Sequence, residues 1–191
     1  MQIILASKSP RRKELMGLFH LPFTVKVADA DETMDPKGNP ADEVAKVSCR
    51  KANAISRNAD DVIIAADTIV VCDGQILGKP ADKDDAFRML SMLSGKTHQV
   101  MTGLTVLRGE TCVTCTEITD VTFRALSDAE IRRYIATGEP MDKAGSYGIQ
   151  GGASLFVEGI RGDYFNVVGL PVCLLQKILA KLIPEQMEEI Q

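Results

Sequence analysis

Asp61-Val-Ile-Ile-Ala-Ala-Asp67-Thr-Ile-Val-Val-Cys-Asp73 is the most apolar strand-like run of the chain. A run that is apolar on both faces suits an interior strand, or two short collinear ones. Asp67 interrupts it. In one regular strand its side chain shares a face with Ile63, Ala65, Ile69 and Val71. A carboxylate there needs a metal, a cation or a break in the strand. The plainer alternative is an Asp that ends one strand and caps a turn.

Upstream, Ile3-Ile4-Leu5-Ala6 predicts a second short buried strand, followed by Ser7-Lys-Ser-Pro-Arg-Arg-Lys-Glu-Leu15. Ser9 suits a helix cap, and Pro10 suits the first helical position, where a missing N–H costs nothing. Arg11 and Arg12 then fall in the first turn, where the helix dipole disfavours cations. They continue the stripe of Leu15, Leu18 and Phe19 toward the helix start. Hydroxyls, N–H groups and two guanidinium forks at a strand-to-helix junction make an anion cradle. Phe23–Val27 reads as a strand running into the acidic stretch Asp29-Ala-Asp-Glu32. A helix over 41–57 carries Val44, Val47, Ser48 and Ile55 on one face. Lys51 lies in the middle of that face and must snorkel or meet an anion.

Downstream, Asp73-Gly74 marks a hairpin turn, and Gly78-Lys79-Pro80 places a lysine between a permissive and a rigid residue. Asp82 caps a helix to Leu93. Two β-like runs, 98–107 and 111–123, follow. Ser127-Asp-Ala-Glu130 is a capping box for a helix that stops at Gly138. The glycine-rich stretch from Lys143 to Gly152 surrounds Tyr147 and Gln150. Residues 156–168 predict a short hairpin. Pro171 opens a last helix with Leu174, Leu175, Ile178, Leu179 and Leu182 as its core face, and Pro184 ends it.

At 191 residues, 45% hydrophobic and 25% charged, the chain is expected to be a single domain of ordinary globular composition, with no repeat and no linker to divide it. A net charge of -4 argues against nucleic acid or a membrane surface as partner. No apolar run is long enough to span a bilayer, and the start lacks a signal-peptide layout. Five scattered cysteines suit a reducing cytoplasm. Cys112 and Cys115 form a C-x-x-C, but in a strand residues three apart face opposite ways, so the pair reads as structural. His20 and His98 stand in no catalytic pattern, and neither a Walker A loop nor a Gly-x-Gly-x-x-Gly fingerprint is present.

Basic groups on inward faces and carboxylates at strand ends share one chemistry. Arg11, Arg12, Lys51 and Lys79 suit a polyphosphate, while Glu32 and Asp67 suit a hard divalent cation that bridges carboxylates to phosphates. The combination fits hydrolysis of a phosphate anhydride, with a carboxylate activating water.

Ala6-Ser-Lys-Ser-Pro-Arg-Arg12 with Glu14-Leu15, Ala66-Asp-Thr68, Gly78-Lys-Pro80 and the string 142–151 resemble, in order, the motifs of the Maf family of nucleotide pyrophosphatases. The resemblance covers essentially the whole chain. It implies a Maf- and ITPase-like α/β fold with a long mixed twisted sheet and two lobes flanking a nucleotide cleft. It also implies cleavage of a nucleoside triphosphate to monophosphate and pyrophosphate with a divalent metal, magnesium or manganese. By position, Asp67 resembles the proton acceptor and, with Glu32, the metal site, the run Asp29–Glu32 offering three carboxylates. Ser7, Ser9, Arg12, Lys51 and Lys79 resemble the phosphate site. Arg11, Thr68 and Gln150 match the branch acting on dTTP and UTP. A Gln amide can pair with N3–H and O4 of uracil or thymine, although flipped it also suits cytosine. A cytoplasmic homodimer is the expected assembly. The rival expectation is a nucleotide-binding regulator of cell division with incidental turnover.

Overall fold

The computed structural model describes residues 1–188. In chain order its elements are β1 (Ile3–Leu5), α1 (Pro10–Gly17), β2 (Phe23–Val25), α2 (Pro40–Asn53), β3 (Val62–Cys72), β4 (Gln75–Leu77) and α3 (Lys83–Leu93). They continue with β5 (Thr97–Arg108), β6 (Thr111–Phe123), α4 (Asp128–Ala136), β7 (Val157–Arg161), α5 (Tyr164–Val168), α6 (Val172–Leu182) and α7 (Pro184–Glu188). Seven strands form one sheet in the order β2-β1-β3-β5-β6-β7, with β4 paired to β3. β1 is parallel to both β2 and β3, whereas β4 and β7 run antiparallel to β3 and β6. The sheet is therefore mixed, as the family resemblance implies.

β3 passes unbroken through Asp67, so that residue neither ends a strand nor caps a turn. The chain divides into two compact units. The first holds Met1–Asp67, Thr102–Glu117 and the chain from Gly169 onward, and the second holds Thr68–Met101 and Ile118–Val168.

In the first unit, Ile4 and Ala6 pack with Ala52, Ile55, Ile63, Ala65 and Leu107. α2 lies directly against β5 at Gly103, where a Cβ would stand only 2.3 Å from the Val44 carbonyl oxygen. Any side chain at Gly103 would push the helix, and Lys51 with it, off the sheet. α1 begins as expected, with the Ser9 hydroxyl accepting from Arg12 N at 3.4 Å and Pro10 in the first turn. It ends one residue before Leu18; Leu15 and Phe19 are buried as predicted, with Met16 beside them, whereas Leu18 is exposed.

In the second unit the fully buried Phe123 meets His98, Tyr147 and Phe156 edge to face. Asp82 caps α3 through Asp85 N, and the capping box of α4 forms in both directions. The hairpin expected over 156–168 does not form. β7 takes β6 as its partner, and 164–168 coil into α5, where the Asp163 carboxylate accepts from Phe165 N at 2.7 Å. At the other end of the chain, Leu175, Ile178 and Leu179 form the buried face of α6. Pro184 stops α6, but it also starts α7, as proline can at a first helical position.

Candidate active site

The first unit concentrates charge around the end of β1, the start of α1 and the inward face of α2. Lys51, with its side chain 17% exposed, places its ammonium 2.5 Å from Asp67 Oδ1 and 2.9 Å from Glu32 Oε1. The lysine on an apolar face has thus found its anions, and the carboxylate on an apolar strand its cation. Each answers the desolvation problem of the other. Of the three carboxylates in Asp29–Glu32, Glu32 is the one that reaches Lys51. Asp31 turns back on its own loop, where the Thr33 side chain and then the Thr33 N–H hold its carboxyl below the usual range. Arg50 braces this loop by donating to the carbonyls of Asp31 and Thr33.

Arg12 is tethered from both sides. Its Nε donates to the Gly169 carbonyl at 2.7 Å and its terminal nitrogen to Ser7 Oγ at 3.4 Å. Ser7 is buried and also accepts from Ser9 N at 3.2 Å. Burial pulls the Arg12 guanidinium below its ordinary range; Asp67 and Glu32 oppose this and Arg11 adds to it. A guanidinium destabilised by burial gains from any further anion, so the electrostatics of α1 favour a phosphate beside Arg12.

Glu32 and Asp67 converge on one cation, Lys51. Two carboxylates are the protein share of a typical magnesium site, the rest coming from substrate phosphates and water. Among the described residues no group of three or more His, Cys, Asp or Glu side chains could hold a metal unaided. Glu32 and Asp67 present oxygen donors, the ligand type that a hard divalent cation takes.

In the second unit Thr68 follows Asp67 on β3 and Lys79 is exposed after β4. The Gly78 carbonyl accepts from Gly145 N at 3.0 Å, which fastens the Lys79 turn to the glycine-rich loop. That loop carries the exposed Gln150 and is clamped on both sides of it. Gly148 N donates to the Tyr134 hydroxyl at 3.1 Å, Tyr134 donates to Glu139 Oε1 at 2.9 Å, and Glu139 Oε2 accepts from Gly152 N at 3.0 Å. A Cβ on Gly151 would sit 2.0 Å from Glu139 Oε1, so a side chain there would force the carboxylate to move. Tyr134 and Glu139 escaped the sequence reading. Their only local signal is that Glu139 opens the string leading into the glycine-rich loop. His98 is buried with Nε2 2.8 Å from the Tyr147 hydroxyl, and desolvation lowers it to about 4.

Fold and site define a mixed-sheet α/β protein with paired carboxylates, a bridging lysine and a buried arginine, a set suited to phosphate anions and a hard cation. The chain belongs to the Maf family: the family model described as Maf-like protein matches residues 2–182. It is 49% identical over 179 residues to proteins named dTTP/UTP pyrophosphatase from Bacillus cereus (strain B4264) and Bacillus mycoides (strain KBAB4). In each case 93% of this chain and 94% of the relative are covered. The solved structure of a HAM1 protein from Coxiella burnetii shares the fold, with TM-score 0.51 and 10% identity over 95% of this chain and 99% of that one.

Proposed function

We propose that this chain hydrolyses dTTP and UTP between the α and β phosphates, releasing dTMP or UMP and pyrophosphate. The observation that carries this reading is the 49% identity, over 93% of the chain, to relatives bearing the name dTTP/UTP pyrophosphatase. The charged cluster supports a mechanism. Glu32 and Asp67 would hold a magnesium or manganese ion, which supplies charge neutralisation at the phosphoryl oxygens. Lys51, paired with both carboxylates before substrate arrives, then has phosphate oxygens to turn to. Arg12, with Ser7 and Ser9 at the same helix start, holds the phosphate chain, and Lys79 adds a further cation. Asp67, whose Oδ1 lies 2.5 Å from the Lys51 ammonium, takes the proton of the attacking water. Arg11, Thr68 and Gln150 select the base, and the amide of Gln150 matches the N3–H and O4 edge of uracil and thymine. The same reading makes the protein a cytoplasmic homodimer, to be checked by light scattering and fractionation; no described helix is long and apolar enough to cross a membrane.

Product analysis tests the activity. With UTP or dTTP and magnesium or manganese, equal amounts of pyrophosphate and nucleoside monophosphate are expected. Orthophosphate with a nucleoside diphosphate would overturn the proposal, and tight UTP binding without turnover would mark a nucleotide sensor instead. Asp67→Asn is expected to lower kcat by about 10²–10⁴-fold, the usual worth of a general base, with nucleotide binding retained. A normal kcat in the Asp67→Asn enzyme would remove Asp67 from its role.

A further inference from the structure

The proposed reaction uses none of the five cysteines. Cys72 is buried, Cys49 and Cys115 are half-buried, and Cys112 and Cys173 are exposed. Cys112 and Cys115 do point to opposite sides of β6, as strand alternation requires. Cys115 Sγ lies 3.9 Å from the Leu104 carbonyl oxygen, while Cys112 Sγ lies 3.6 Å from the hydroxyl of Thr114, its neighbour on the same face. The face bearing Cys112, Thr114 and Thr116 is the one turned to α2.

Side-chain hydroxyls fix how helix and strand run past each other. Thr116 Oγ1 donates to the Ala41 carbonyl at 2.7 Å, at the start of α2. One step further, Thr114 Oγ1 is 2.9 Å from Thr105 Oγ1, which is 2.8 Å from Ser48 Oγ. From Thr116 to Cys112 the strand advances about 13–14 Å at its usual rise. From Ala41 to Cys49 the helix advances about 12 Å. The two advance together in opposite chain directions, so Cys49 arrives opposite Cys112. Burial pushes the Cys49 thiol up, and the nearby Cys112 adds to this.

We propose that Cys49 and Cys112 form a reversible disulfide site, oxidised by hydrogen peroxide, that staples α2 to β6. The exposed Cys112 is the sulfur a peroxide meets first. Its thiolate attacks one peroxide oxygen; an S–O bond forms, the O–O bond breaks, and the departing hydroxide takes up a proton to leave as water. Cys49 then attacks the sulfenic sulfur; the S–S bond forms, the S–O bond breaks, and a second water carries away the remaining oxygen and the Cys49 proton. Two thiols have given two electrons to one peroxide and two waters are formed. Cys115, turned to the other side of the strand, cannot act as the resolving partner. The staple closes a loop of about 60 residues of the unfolded chain, which ordinarily raises Tm, here by roughly 5–15 °C. It also fixes the helix that carries Lys51.

The test uses the full chain treated with a slight molar excess of hydrogen peroxide, then alkylation and peptide mapping by mass spectrometry. Expected is a Cys49–Cys112 linked peptide, loss of two alkylatable thiols, and a Tm increase that dithiothreitol reverses. Cys115→Ser should keep the linkage and the Tm increase, and Cys112→Ser should lose both. Linkage of Cys112 to Cys115 or to another chain would overturn the proposal. So would Cys112 oxidised past the sulfenic stage while Cys49 remains a free thiol.

Discussion

Lys51 lies three residues after Ser48 and four before Ile55, on the face of α2 turned to the sheet, and its ammonium serves two carboxylates of unequal burial. The Asp67 side chain is 14% exposed and that of Glu32 63%, so solvent screens the second pair far more than the first. Lys51→Met therefore strands Asp67 with a half-desolvated charge, at a cost of about 1–3 kcal/mol in urea unfolding, whereas Glu32→Gln should move stability by less than about 1 kcal/mol. Equal losses would show that the two pairs are screened alike. Under the proposed function both substitutions lower turnover, so stability and activity separate at Glu32. Arg11 and Arg12 separate in a different way. Arg12 spends Nε on the Gly169 carbonyl and a terminal nitrogen on Ser7, a fork that an ammonium cannot reproduce. Arg12→Lys is expected to reduce kcat/KM about 10²-fold on every nucleotide. Arg11→Lys is expected to alter the ratio of rates on UTP, dTTP and CTP. Matching effects of the two substitutions across that panel would return both arginines to one undivided anion cradle.

Among the elements, the glycine-rich loop after α4 shows how Gln150, the proposed specificity residue, is held without being packed. Gln150 is exposed, yet two residues away on either side the loop backbone is fixed, at Gly148 through Tyr134 and at Gly152 through Glu139. Gly151→Ala drives a methyl into the Glu139 carboxylate, which can give way only by loosening its bonds to the Tyr134 hydroxyl and Gly152 N that hold the loop. The expected result is a KM increase of about tenfold on UTP and dTTP, with weaker discrimination against CTP and a retained circular dichroism spectrum. Unchanged substrate ratios would mean that the clamp does not set the position of Gln150. Local signals explain why the ends of elements were legible and this clamp was not. Ser9 with Pro10, Asp82, and Ser127 with Glu130 each carry their capping chemistry within four residues, and all three caps form. The choice of β6 as partner for β7 and the coiling of 164–168 into α5 depend on contacts distant in sequence. Nothing within 156–168 announces them. The site was legible where a charge violated an apolar pattern, at Asp67 and Lys51, although pattern alone did not pair one with the other. Tyr134 and Glu139 violate no pattern, and only the fold brings them to the loop.

For the molecule as a whole, acid is the condition that exposes how its buried polar groups were accommodated. His98 is enclosed by Phe123 and Tyr147, with Nε2 on the Tyr147 hydroxyl and Nδ1 without a partner among the described residues. Desolvation lowers it from 6.5 to about 4. Between those values the unfolded chain binds a proton that the folded chain refuses. The contribution of His98 is therefore complete above about pH 6.5 and is lost as pH falls toward 4, amounting to roughly 3 kcal/mol in all. Tyr147 is pushed upward by its burial and stays neutral throughout this window. The depressed carboxylates act lower. Glu130 is held at about 2 by Arg124 and the α4 capping box, and Asp61, Asp85 and Asp120 are lowered by their own hydrogen bonds. Their contributions are present above the ordinary carboxylate range and are lost as pH drops through and below it. Urea unfolding at pH 7, 6, 5 and 4 should thus show a decline beginning near pH 6.5, before any carboxylate has been protonated. His98→Gln removes the titrating group while keeping a polar side chain for Tyr147, so its decline should begin only near pH 4.5. The stability gap between the two proteins should shift by roughly 3 kcal/mol in favour of the variant between pH 7 and pH 4. Parallel curves for the two proteins would place the early acid loss elsewhere in the molecule and leave His98 a packing residue alone.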